Sequence, residues 1–141
     1  MKMKAYLTER DADFLLNKAI DFAKQNQWNV SIAVVDDTGN LLSFKRLDGA
    51  SPMTARFAVE KANCSAISRR PTKRFNDLIN KGQAGFLSMQ SMSGMLEGGE
   101  PIFYKDELVG AIGVSGVKSE EDALIAQKAI EAFEQFLCNS P

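Results

Sequence analysis

Histidine is absent from this chain of 141 residues, and its absence excludes several kinds of functional site. Without an imidazole there is no Ser-His-Asp or Cys-His catalytic arrangement, no zinc site built on histidine and no haem iron ligated by histidine. Cysteine is scarce as well. Cys64 and Cys138 form no closely spaced metal or redox motif, so we expect two free thiols in a reducing compartment.

An excess of positive charge is also missing. The chain has 17 basic and 18 acidic residues, with a net charge of −1, which argues against a broad nucleic-acid-binding surface. No apolar run is long enough to span a membrane, and Met1–Arg10 contains no apolar stretch typical of a secretion signal. We therefore expect a cytoplasmic protein. No P-loop, dinucleotide fingerprint or nucleophile elbow is present, and no catalytic residue is predicted.

Glycines are concentrated in one segment, Glu97–Gly116, which is typical of a turn followed by two strands of a hairpin. If Leu108–Ser115 is a strand, its side chains alternate between two faces. One face has Leu108, Gly110, Ile112 and Val114, and the other has Val109, Ala111, Gly113 and Ser115. Glycine inside a strand usually marks a close approach by backbone or ligand. The bare backbone at Gly113–Gly116 is thus predicted to be covered either by a tightly packed helix or by a ligand.

The remaining pattern predicts helices and hairpins in one domain, residues 1–141. Helices are expected over Glu9–Asn26 with Thr8 as cap, from Pro52 to Ser68, from Thr72 to Lys81, and after a cap at Ser119. Gln83–Gly94 is expected to be a loop with a short helical or extended piece. Strands are predicted at Val30–Val35, Leu41–Arg46, Met95–Glu97, Pro101–Lys105 and Leu108–Ser115. Because the strands are joined by hairpins rather than by crossover connections, the predicted fold class is α+β, with one antiparallel sheet of about five strands and helices packed on it. Val30–Val35 and Leu108–Ser115 are predicted at the centre of the sheet.

Several short motifs occur together in a specific order. They are Asp36, Gly39, Arg46, Asp48-Gly49-Ala50, Lys61-Ala62, Gly98-Gly99, Pro101 and Gly110–Gly116, with Asp122 and Ala126 on the last helix. In order and spacing the chain resembles the GlcG/HbpS-like family of haem-degrading or haem-binding domains from about Leu7 to Phe136. The same domain closes the PduO-type cobalamin adenosyltransferases.

The resemblance implies a profilin- or PAS-like sheet and binding of haem or a corrinoid. Members are often encoded beside genes for glycolate, diol or glycerol metabolism, and they self-associate. On this basis the predicted pocket is lined by Gly98, Gly99, Pro101, Ser115 and Gly116, with Arg46 and Lys61 for an anionic group. The chain departs from the family in lacking an axial histidine and in having Cys64 where threonine is usual.

Lys61 has two interpretations. It falls at the edge of a helix face of small residues, so its ammonium must reach solvent, pair with a carboxylate or meet a ligand anion. Asp36 or Asp48 is the expected partner in a salt bridge. The aspartates themselves are expected to be structural, since Asp36 and Asp37 open a turn and Asp48 lies in the loop before a helix.

Methionine, cysteine and tyrosine are the side chains left to ligate a haem iron. The candidates are Cys64, Met89, Met92 and Tyr104, and the methionines around Gly94 also suggest an apolar floor for a flat cofactor. Methionine more often fills gaps in a core.

The predicted function is a homo-oligomeric protein that binds a haem- or corrinoid-type tetrapyrrole and is accessory to small-carbon metabolism. Two alternatives remain open. One is an oligomeric assembly protein without a small ligand. The other is an enzyme acting on a small carboxylate, for which Asp36, Asp48 and Lys61 are the visible candidate bases.

Overall fold

Helices and strands follow one another along the chain in the computed structural model, which describes residues 1–140. In order they are α1 (Glu9–Gln25), β1 (Ser31–Asp36), β2 (Leu41–Arg46), α2 (Pro52–Ser68), α3 (Lys73–Asn80), a 3₁₀ helix (Ala84–Ser88), β3 (Gly99–Tyr104), β4 (Glu107–Ser115) and α4 (Ser119–Cys138). The α+β class is confirmed. Within residues 1–140 no helix has the length and apolar character needed to cross a membrane.

The helix starts follow from local chemistry. The Thr8 hydroxyl accepts a hydrogen bond from the Asp11 N–H at 3.2 Å, and the Asp11 carboxylate accepts one from the Thr8 N–H at 2.9 Å, which caps α1. Pro52 occupies the first turn of α2, where a missing N–H costs nothing. Ser119 is the first residue of α4 rather than its cap, because the preceding Lys118 N–H is the one bonded to Glu121 Oε1.

One four-stranded antiparallel sheet has the order β2-β1-β4-β3. The predicted central position of β1 and β4 is confirmed, whereas the predicted strand at Met95–Glu97 is wrong. Its backbone bonds to side chains of another segment: Leu96 O accepts from Thr72 Oγ1, and Glu97 N–H donates to Asn76 Oδ1. With those groups taken, this segment joins no ladder and the sheet has four strands rather than about five.

The two faces of the sheet carry different helices. Ile32 and Ile112 contribute to a large core with α1 and α4, whereas Ala33 and Ala111 contribute to a smaller core with α2. Near its start β4 departs from strict alternation, because Ile102 pairs with Gly110 and the next residue, Phe103, pairs with Leu108. This bulge leaves Val109 in the core of α1 and α4 and Leu108 in that of α2, the reverse of the predicted faces.

Candidate functional site

α2 covers the Gly113 end of the predicted glycine patch. A Cβ atom at Gly113 would lie 2.2 Å from Ala58 O, and one at Gly99 would lie 2.4 Å from Lys61 O. Gly113 pairs with Ala33 on one side and with Gly99 on the other, so a row of small residues crosses three strands beneath the helix. The sequence predicted either a helix or a ligand against this glycine backbone, and the structure has a tightly packed helix there.

Lys61 lies at the centre of this contact and is buried, with 3% of its surface exposed. Its ammonium donates to Val114 O at 2.9 Å and to Asp122 Oδ2 at 3.2 Å. A Cβ at Gly98 would approach Lys61 Nζ to 2.8 Å, so glycine there leaves room for the ammonium. The structure thus brings Lys61, Gly98 and Gly99 together through packing and an internal ion pair.

Asp122 is the partner that sequence reasoning missed. The whole residue is 2% exposed, and Oδ1 accepts a hydrogen bond from the Val117 N–H at 3.1 Å. Burial raises the pKa of Asp122 to about 6, against the opposing effect of the Lys61 ammonium. The Ser119–Asp122 segment signalled only a helix start, and nothing in its spacing pointed to Lys61.

Asp36 and Asp48 are not the partners of Lys61, so that prediction is wrong. Asp36 Oδ1 accepts from the N–H groups of Thr38 and Asn40, at 2.9 and 3.0 Å, and closes the β1–β2 turn as expected. Burial alone would raise the pKa of Asp36, but the hydrogen bonds from the Thr38 hydroxyl and from the backbone N–H groups of the turn outweigh it, so the pKa is lowered. Asp37 pairs with Lys4 at 2.6 Å, and Asp48 is exposed at the end of β2.

Three further residues belong to the predicted pocket: Pro101 lies on β3, Ser115 is the last residue of β4 and Gly116 follows it. Ser115 is 6% exposed and pairs across the sheet with Ser31. A Cβ at Gly116 would lie 2.6 Å from Asn29 O, so this glycine also serves a close backbone approach. Pro101 is half-buried on β3.

An apolar cavity of about 500 Å³ lies between the end of α2 and the segment around the 3₁₀ helix. Ile67, Phe86, Met89 and Met92 supply its apolar wall, with Gln83 and Ser91 among the polar lining residues. The structure therefore brings two of the four predicted iron ligands together. Ile67 and Phe86 were not predicted, because the segment Gln83–Gly94 has no clear periodicity.

The other two candidate ligands lie elsewhere. Cys64 is fully buried in a cluster with Phe75 and Met95, and burial raises the pKa of its thiol to about 11. Met92 packs against the edge of that cluster, which borders the apolar cavity. Tyr104 lines a separate cleft with Tyr6 and Phe133.

Arg46 lines a third depression, which we call the α1–β2 groove. It has a volume of about 540 Å³ and is polar, with lining residues that include Lys24, Gln27, Trp28, Lys45, Arg46 and Asp48. Arg46 is thus separate from the Lys61 contact, and the two predicted anion-binding residues do not share one site.

Comparisons with known proteins agree with this architecture. The family model described as "Haem degrading protein HbpS-like" matches residues 7–131. Protein GlcG of Escherichia coli K12 is 37% identical over 115 residues, which cover 82% of this chain and 85% of GlcG. Corrinoid adenosyltransferase PduO of Salmonella typhimurium is 28% identical over 129 residues, covering 89% of this chain and 38% of PduO.

A solved structure shows the same likeness. The crystal structure of the PduOC:heme complex has a TM-score of 0.82 and 26% identity, covering 91% of this chain and 95% of that one. With its family-model match and its identity to GlcG, the chain belongs to the HbpS-like family.

Proposed function

We propose that this protein binds a haem-type tetrapyrrole in the apolar cavity. Family membership supports the ligand class, as does the PduOC:heme complex among its structural relatives. The observation that carries the proposal is the placement of Met89 and Met92 in the wall of a cavity of about 500 Å³. That volume falls within the range of about 300–1,000 Å³ typical of small-molecule sites.

The residues of the cavity fit such a group. Methionine thioether is an established axial ligand of haem iron, and it is one of the few donors available in a chain without histidine. Ile67 and Phe86 offer apolar contacts to a flat ring, and Gln83 and Ser91 offer hydrogen-bonding groups. A bound haem would supply an iron centre, and these side chains would contact one face of the ring.

Titration with haemin tests the proposal. We expect a Soret band that saturates, and a double variant Met89→Leu/Met92→Leu that binds haemin at least about tenfold more weakly, which corresponds to about 1.4 kcal/mol. Leucine keeps the apolar bulk and removes the sulphur. Met53→Leu is the matched control, since Met53 is exposed and lies outside the cavity. Unchanged affinity and spectrum in the double variant would contradict the proposal.

Other sequence-predicted ligands remain predictions that the same titration addresses. Cys64→Ser and Tyr104→Phe test the two alternative iron ligands, and a corrinoid in place of haemin tests the second tetrapyrrole class. Arg46 lines the α1–β2 groove and not the apolar cavity, so Arg46→Gln should leave haemin binding unchanged. Weaker haemin binding in this variant would instead support the anion contact predicted from the sequence. The accessory role in small-carbon metabolism, which the family resemblance implies, belongs to this proposal as a prediction.

We also propose that the chain forms a homo-oligomer. Edge strand β2 exposes Leu41 and Leu42, and edge strand β3 exposes Phe103 and Tyr104, with 52% of Leu41 and 43% of Phe103 accessible. Exposed apolar residues on sheet edges favour pairing with another chain. Sedimentation at micromolar concentration tests this, and a single species near 15.5 kDa would contradict it.

A further inference from the structure

The α1–β2 groove concentrates unpaired positive charge in a chain whose net charge is −1. Lys24, Lys45 and Arg46 line it against the single carboxylate of Asp48. Within residues 1–140 none of these three cations is within salt-bridge distance of a carboxylate. The groove therefore has a net positive charge that the protein itself does not neutralise.

The end of α1 accounts for only part of this charge. A lysine in the last turn of a helix is favoured by the helix dipole, which explains Lys24. Backbone donors already satisfy carbonyls of that turn: Trp28 N–H donates to Ala23 O and Gln27 N–H to Lys24 O, at 2.9 and 3.1 Å. Lys45 and Arg46 come from β2, where the dipole argument does not apply.

The groove also contains the only tryptophan of the chain. Trp28 is half-buried and packs edge-on against Phe22, with ring centroids 6.1 Å apart. Gln27 before it has φ of 58°, a backbone conformation that is uncommon for a residue other than glycine. An aromatic ring beside free cations is suited to a ligand that has both a ring and an anionic group.

The walls of the groove are held to each other by backbone contacts. Leu47 N–H donates to Val30 O at 2.9 Å, which joins the end of β2 to the start of β1. A Cβ at Gly49 would lie 2.7 Å from Asn29 Nδ2, so the loop after β2 packs closely on the turn after α1. The groove is therefore formed before any ligand arrives.

We propose that the α1–β2 groove is a second binding site, separate from the apolar cavity, for a small anion that carries an aromatic ring. The phosphate or carboxylate groups would contact Lys45 and Arg46, because a guanidinium binds such oxygens in a bidentate manner. The ring would lie against Trp28. Adenosine monophosphate is a suitable probe of this chemistry, with adenosine and inorganic phosphate as its two halves.

Fluorescence of Trp28 reports on the groove directly, since no other tryptophan contributes. We expect adenosine monophosphate to change this fluorescence in a saturable way and to bind more tightly than either half alone. The double variant Lys45→Gln/Arg46→Gln should weaken binding at least about tenfold, as expected for lost hydrogen bonds to a charged group. Both side chains are exposed, and unfolding curves check that the variant is folded.

A charge-matched control separates a site from general attraction. Arg74→Gln/Lys81→Gln removes the same charge from exposed residues outside the groove and should leave affinity unchanged. Equal weakening in both double variants, or no saturable response to adenosine monophosphate, would overturn the proposal. If inorganic phosphate binds as tightly as the nucleotide, the site does not recognise a ring. If adenosine binds as tightly, the site does not recognise an anion. Either result would overturn the proposal.

The same variants distinguish this site from the tetrapyrrole cavity. Met89→Leu/Met92→Leu should keep nucleotide binding, and Lys45→Gln/Arg46→Gln should keep haemin binding. If the unaltered protein does not bind haemin but still binds adenosine monophosphate, the tetrapyrrole proposal fails and the groove proposal stands. Loss of nucleotide binding in the methionine variant would overturn the inference that the two sites are separate.

Discussion

Lys61 and Asp122 form a buried ion pair that joins helices from opposite faces of the sheet. Lys61 Nζ lies 3.2 Å from Asp122 Oδ2, and the two side chains are only 4% and 3% exposed. Lys61 belongs to α2, which packs against one core, and Asp122 to the first turn of α4, which packs against the other. The pair therefore links the two layers beside the end of β4, where Val114 O accepts the second ammonium hydrogen bond.

Replacing Lys61 by methionine should destabilise the protein strongly. The stem keeps its length, but Asp122 is left as an uncompensated buried carboxylate, and breaking a buried pair in this way costs about 3–5 kcal/mol. Urea unfolding of the two proteins measures the difference. A second change, Asp122→Asn, should restore part of the loss in the double variant. Equal urea midpoints for Lys61→Met and the unaltered protein would contradict a structural role for the pair.

Asp122 should make stability depend on pH in mildly acidic solution. Its pKa rises from 3.8 to about 6 on folding because of burial, so the folded protein binds this proton more tightly than the unfolded chain. This tighter proton binding stabilises the folded state. Its contribution to the free energy of unfolding is fully present below about pH 4 and is lost as the pH rises towards about 6. Its upper limit is about 3 kcal/mol for a shift of this size.

Comparison with Asp122→Asn isolates this contribution from the other carboxylates. The free energy of unfolding of the unaltered protein should fall relative to that of Asp122→Asn between about pH 4 and pH 6. Urea unfolding at several pH values provides the measurement. A difference that stays constant, or that changes in the opposite direction, would show that the buried carboxyl does not titrate in this window.

Lys61 shows how far the sequence alone leads. Its position among small helix residues indicated that the ammonium must reach solvent, pair with a carboxylate or meet a ligand anion, and the structure shows a carboxylate partner that is neither of the two predicted. The partner was not predictable, because Asp122 lies 61 residues away and its carboxylate is positioned by the packing of α4. Local signals predicted the helices and the two central strands well, since caps and apolar patterns act within a few residues.

Tertiary hydrogen bonds explain the main error in the sheet. Met95–Glu97 has the composition of a short strand, but Thr72 and Asn76 take up its backbone groups. The apolar cavity was predicted only in part, through the methionines around Gly94, for a related reason. Phe86, Met89 and Met92 lack a period, and only the folded chain brings them against Ile67.

Thr72 should be important for stability because its hydroxyl joins two segments. Oγ1 donates to Leu96 O at 2.5 Å and accepts from the Gly99 N–H at 2.9 Å, and the residue is fully buried. Thr72→Val keeps the shape but leaves the Gly99 N–H without this acceptor, at a cost of about 1–3 kcal/mol. Thr72→Ser retains the hydroxyl and should unfold closer to the unaltered protein. The reverse order of the two midpoints would contradict this role.

Gly113 should tolerate no side chain, because α2 lies directly on its backbone. A Cβ there would come within 2.2 Å of Ala58 O and 2.5 Å of the Ala62 N, both main-chain atoms that cannot rotate away. Gly113→Ala should force α2 off the sheet and lower the free energy of unfolding by about 3 kcal/mol, at the upper end of overpacking costs. Gly85→Ala is the matched control, since nothing lies within 4 Å of its added methyl group, and we expect a change within about 0.5 kcal/mol. Urea unfolding compares the two variants, and similar stabilities would show that the close approach of α2 to β4 is not the constraint that requires glycine.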